Sequence, residues 1–198
     1  MSELEVLQEK IKVALIQYEQ KELYEQALKV YEEVEMKLSH LERETNTSMN
    51  QDLIYKELAQ IYLRKASMLR AMQRISEAEQ ANQSELFYAE KSGDEIAFAQ
   101  SLFSTGVQKI STGEKEKGLD YLEKAKAVFR TGNTVDHQQG LGWYWIIQAD
   151  LANAGYTKRS KEEIIQYGEQ ALSILEKINN PQGIKRAKAA QKQALKEL

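Results

Sequence analysis

The chain has no cysteine in 198 residues. That excludes a disulfide framework, a thiolate nucleophile and a cysteine-ligated metal, and it fits a reducing, cytoplasmic setting. Proline occurs once and glycine ten times, so little interrupts helix formation. No apolar run approaches the ~20 residues of a membrane span. The opening MSELEVLQEK is acidic and amphipathic, unlike the basic-then-apolar form of a secretory leader. The glycosylation sequons starting at Asn46 and Asn82 therefore carry little weight.

A strong charge of one sign is also missing. The net charge of −3 gives no footprint for nucleic acid. Its distribution is uneven: residues 1–50 hold 6 Lys/Arg against 11 Asp/Glu, and residues 156–198 hold 9 against 5. Solvated helix faces, with cations favoured near the last helix C-terminus, account for this. The sharper reading is head-to-tail association, making the chain a possible homo-oligomer.

What is present is helical periodicity, nearly without a break. With 29% charged and 42% hydrophobic residues, the chain reads as folded and water-soluble. Its length suits one domain, residues 1–198. The spacing predicts nine helices: 2–20, 24–44, 51–73, 75–91, 94–111, 114–130, 137–154, 160–178 and 181–196. No segment alternates as a strand does, and the helices would cover roughly 85% of the chain, far above the ~33% typical of soluble proteins. Asp94 is placed to cap the fifth helix, Gly113 breaks the chain after it, and Ser160 with Glu163 forms a capping box. Asn180 followed by Pro181 suits a cap with proline at the first helical position.

Short connections make antiparallel hairpins, here 2–44, 51–91, 94–130 and 137–178, with 181–196 as a capping helix. YEQALKVYEEV at 24–34 is echoed by ISEAEQANQSEL at 75–86, KEKGLDYLEKA at 115–125 and IIQYGEQAL at 164–172. Each places a small residue early on a helix, often with another seven residues on: Ala27 pairs this way with Val34, Gly118 with Ala125, and Ile164 with Ala171. In the second unit Ala78 is followed by Glu85, a departure.

This pattern resembles the tetratricopeptide repeat family. Tyr18, Tyr24, Ala27, Tyr31 and Val34 carry it in the first unit, and Leu102, Thr105-Gly106, Gly113, Gly118, Leu122 and Ala125 in the third. Tyr144, Ile147-Gln148, Leu151 and Gly155 lead into the fourth. The spacings of 51, 40 and 46 residues between the units exceed the family's usual 34 and look like the longer repeats of bacterial regulatory proteins. The segment AEKSGD at 89–94 resembles the close of such repeats. The resemblance implies an all-α, right-handed superhelical solenoid whose first helices line an inner groove. The last helix, with Ile184, Ala187, Ala190, Ala194 and Leu195 on one side and Lys185, Arg186, Lys188, Lys192 and Lys196 on the other, suits a solubilising cap.

Chemistry is scarce. His40 and His137 lie on different hairpins, no HExxH, Walker or GxGxxG pattern occurs, and Glu32-Glu33 and Glu162-Glu163 are adjacent and so point apart on their helices. No cofactor, metal or catalytic set is expected. The groove implied by the resemblance would carry Lys56, Gln60, Arg64 and Ser67 on the helix 51–73. Gln100, Phe103, Ser104 and Val107 would follow on 94–111, then Trp145, Ile146, Ala149 and Asn153 on 137–154. It runs from basic to apolar and aromatic, which suits a peptide with acidic and hydrophobic groups. The reading is a non-catalytic adaptor for a protein or peptide partner; the alternative is a sensor whose groove takes a small peptide or metabolite and controls a partner.

Overall fold

The computed structural model describes residues 2–44 and 48–196; the sequon at Asn46 lies outside them. Among the described residues there are nine α-helices and one 3-10 turn and no strand, with helix at 85%. The helices are α1 (Glu3–Gln17), α2 (Tyr24–Glu44), α3 (Ser48–Ala71), α4 (Ile75–Lys91), α5 (Glu95–Ser111), α6 (Lys115–Phe129), α7 (Val135–Asn153), α8 (Lys161–Lys177) and α9 (Pro181–Lys196).

The ends follow from local chemistry. Ser2 and Glu5 form a capping box on α1, and Ser160 and Glu163 form one on α8. Asp94 accepts the Ala97 amide at 2.8 Å and Asn180 accepts the Gly183 amide at 2.8 Å; each satisfies a first-turn N–H that has no partner within its helix. Gly113 ends α5 at φ +94°, a conformation that favours glycine. The first helix stops at Gln17 instead of reaching 20. There the backbone tightens into the turn Glu19–Lys21 and leaves through Glu22 at φ +61°. That turn carries Glu19 to the Tyr31 hydroxyl, which donates to it at 2.8 Å.

The chain forms two compact units, residues 1–104 and 105–198, with the division falling inside α5. In the first unit, Leu7, Ile11 and Ala14 of α1 pack with Ala27, Tyr31, Val34 and Leu38 of α2 and Ile54, Leu58 and Ile61 of α3. Ala59, Ala89 and Ala97 form a smaller cluster of small side chains from α3, α4 and α5. In the second unit, α9 lays Ala187, Ala190 and Ala194 over Ile146, Ala149, Ile164, Ala171 and Leu175 of α7 and α8. Leu195 departs from the expected apolar side and is 54% exposed, because it follows Ala194 by one residue and turns away from the face that Ala194 buries.

The repeat register is visible as burial. Ala27 and Val34, Ala78 and Glu85, Gly118 and Ala125, and Ile164 and Ala171 are all inside. The Phe129 ring lies against Gly140 and Leu175 lies against Gly142, so the two glycines before Trp143 are sites of close packing.

Candidate functional site

Of the nine candidate groove residues, seven belong to the first unit and two to the second. On α3 both cations of the polar stripe have acidic partners. Lys56 is ion-paired with Asp94. Burial alone would raise the Asp94 pKa, but the Lys56 ammonium and the Ala97 amide bring it below the ordinary carboxylate value. The Arg64 guanidinium donates to both Glu19 oxygens at 3.4 Å, and its Nε is buried without a partner. The pair is only 24% and 21% exposed, so Arg64 holds the Glu19 turn in place. Gln60 and Gln100 are half-buried, Phe103 is half-buried and Ser67 is exposed. Ser104 is not on the surface at all: it is 2% exposed, and its hydroxyl donates to Asn82 Oδ1 at 2.9 Å. The sequon at Asn82 is accordingly inside, with that side chain 3% exposed.

In the second unit, Trp145 is part of a packed cluster. It stacks on Tyr167 at 5.5 Å between centroids and meets Tyr144 edge-on at 5.0 Å. The Lys126 ammonium stands 4.8 Å from the Tyr144 ring and 5.4 Å from the Trp145 ring, within cation–π range. The Tyr144 hydroxyl donates to Glu123; burial first, then that carboxylate, raise the Tyr144 pKa. Asn153 donates from Nδ2 to the Ala190 carbonyl at 3.0 Å and so ties α7 to α9.

His40 is exposed beside Glu44 at 3.3 Å, and His137 contacts its own helix cap, Thr134. Among the described residues, no group of three or more His, Cys, Asp or Glu is arranged to hold a metal. None of the described helices is long and apolar enough to cross a membrane.

Two features were not singled out as sites from the sequence. The first is an apolar groove of about 370 Å³ between α1 and α2, lined by Val6, Val13, Ala14, Tyr18 and Val30 with Glu9, Lys10 and Glu33 at its rim. Val6 and Val13 are 40% and 47% exposed, and Ile16 on the same helix is 53% exposed. The signal lies in α1 itself: Leu7, Ile11 and Ala14 are one apolar stripe, and Val6 with Val13 starts another. A surface helix with one core to face needs only the first.

The second is Glu85, 1% exposed, with neither carboxylate oxygen hydrogen-bonded. Burial pushes its pKa up to about 8, against the pull of the Ser104 hydroxyl and the Arg70 charge. Its signal was the departure in the repeat, a carboxylate where Val34, Ala125 and Ala171 stand elsewhere.

No protein-family model matches the chain, and no curated protein matches it.

Proposed function

We propose that this chain is a non-catalytic, cytoplasmic protein- or peptide-binding adaptor, built as a right-handed tetratricopeptide-like solenoid. The repeated burial of small and apolar residues seven apart supports the solenoid. The α1–α2 groove supports the binding role, because Val6 and Val13 stay 40% and 47% exposed along its wall.

The groove suits one face of an amphipathic helix, with apolar side chains entering between Val6, Val13 and Val30. Charge selects its other face. Glu33 pairs with Lys10 at 3.7 Å yet stays 60% exposed on its side chain, and residues 1–50 carry five more acidic than basic groups (11 against 6), so lysine and arginine at the flanks of the ligand are favoured. The expected partner is therefore basic and apolar rather than acidic and apolar.

The test is fluorescence anisotropy with a labelled amphipathic Leu/Lys dodecapeptide and its Leu/Glu counterpart, against wild type and Val13→Glu. The reading requires Leu/Lys binding that falls at least tenfold in Val13→Glu. An added carboxylate strengthens non-specific attraction to a basic peptide, so only loss of apolar packing weakens the complex. Equal or tighter binding by the variant would refute the groove as the interface.

A further inference from the structure

Glu85 lies at a core position of α4, yet the polar groups around it bond to one another. Arg70 of α3 donates through Nη1 to Asn82 Oδ1 at 3.3 Å, and Ser104 of α5 donates to the same oxygen. Both Glu85 oxygens and the Asn82 Nδ2 are left without partners. Glu85 also lines a tight crevice with Ala59, Gln60 and Leu63 of α3 and Ala97 and Gln100 of α5. Apart from the two glutamines and the carboxyl, its walls are aliphatic.

We propose that this crevice receives a cationic side chain, the ammonium or guanidinium of a peptide lysine or arginine, which pairs with Glu85 once Gln60 and Gln100 swing aside. A slender alkyl stem matches Ala59, Leu63 and Ala97, and long basic side chains combine such a stem with a charged tip. No water-sized sphere fits in the crevice as it stands, so entry requires the two glutamines, both flexible, to part. The α3 cations first expected to read a ligand, Lys56 and Arg64, are already matched by Asp94 and Glu19. Glu85 is the ionisable group beside the crevice whose oxygens have no bond, and an opposite charge is worth most to a carboxyl in such a dry site. An acidic or an apolar side chain offers the carboxyl no counter-charge.

The site is separate from the α1–α2 groove and does not rest on it. Arg70 is the charged group facing Glu85 from α3; Ser104 from α5 and Asn82 from α4 are polar and uncharged. With burial holding Glu85 protonated at neutral pH, pairing with a cation expels its proton.

Calorimetric titration of the full chain with acetylated, amidated hexalysine, hexaarginine and hexaglutamate tests this, in phosphate and in Tris at pH 7. Glu85→Gln is compared with Glu95→Gln, an exposed residue on α5 that changes charge equally. Both cationic peptides should bind wild type with release of most of one proton, and hexaglutamate should not bind. Glu85→Gln should weaken binding at least tenfold and abolish the proton release, whereas Glu95→Gln should change affinity less than twofold. Glu85→Gln should melt no lower than wild type in a control melt, so that unfolding does not explain the loss. Undiminished binding by Glu85→Gln, or no binding of either cationic peptide to wild type, overturns the proposal and leaves Glu85 as an internal counter-charge to Arg70.

Discussion

Gly106 of α5 and Gly118 of α6 meet backbone to backbone: a Cβ on Gly118 would stand 2.6 Å from the Gly106 carbonyl oxygen, and one on Gly106 would stand 2.8 Å from the Gly118 carbonyl oxygen. The helices approach so closely only because neither residue has a side chain. Alanine at 118 would also press within 2.5 Å of Ile110 Cγ1. Overpacking of this kind costs about 1–3 kcal/mol, which exceeds or offsets the ~1 kcal/mol that alanine gains in helix propensity. Urea denaturation of Gly118→Ala should show a lower midpoint. An unchanged or higher midpoint would mean that the crossing can open at little cost.

The second prediction concerns pH. Glu85 has a folded pKa of about 8, above its ordinary value of 4.5, so the unfolded state is the one that ionises more easily. Its contribution to stability is intact below about pH 4.5 and is lost as pH rises through 8. Removing the buried charge by Glu85→Gln should therefore stabilise the protein at pH 8 by on the order of 2–5 kcal/mol relative to its effect at pH 4. The measurement is the difference in unfolding free energy between wild type and variant across pH 4–9. A flat difference would mean that the carboxylate finds compensation in the folded state.

A third prediction follows from the Arg64–Glu19 pair, which also anchors Tyr31. Deleting Arg64 strands a mostly buried carboxylate, so Arg64→Ala should cost about 1–3 kcal/mol. A double-mutant cycle with Glu19→Gln should show coupling, because the two side chains share one network. Independent, additive losses would show that each residue acts alone.

Asp94 carries two separable roles, a helix cap and an ion pair with Lys56. Loss of the cap in Asp94→Ala should cost about 0.5–2 kcal/mol. Asp94→Asn keeps a capping oxygen and loses only the partly exposed ion pair, worth about 0–1 kcal/mol. The folded pKa of Asp94 is lowered, so its ionic contribution is present above its ordinary value and is lost as pH falls through the folded one. Thermal melts at pH 7 should rank wild type, Asn, Ala in falling order; equal losses in both variants would assign the whole effect to the charge.

Much of this was legible in the sequence. The Asp94, Ser160 and Asn180 caps, the glycine pair at 106 and 118, and the seven-residue spacing of buried positions are local signals, and each fixes a helix end or face. What was not legible depends on partners distant in sequence. Arg64 reads as a free cation until Glu19, 45 residues away, arrives on a turn that helical periodicity does not foresee. Ser104 reads as a groove hydroxyl until Asn82 faces it across α4 and α5. Trp145 reads as a bare aromatic until Tyr167 stacks on it. Val6 and Val13 were hidden for a different reason: an apolar residue on an amphipathic helix is read as core, and only the packed structure shows a second stripe left partly exposed along the α1–α2 groove.

The most direct test of the binding role is to titrate isotopically labelled protein with the amphipathic Leu/Lys dodecapeptide and follow backbone amide resonances. Perturbations concentrated at Val6, Val13, Ile16 and Val30, lost in Val13→Glu, are the predicted result. Saturable perturbations confined to other helices, or none at all, would contradict the assignment of the α1–α2 groove as the binding surface.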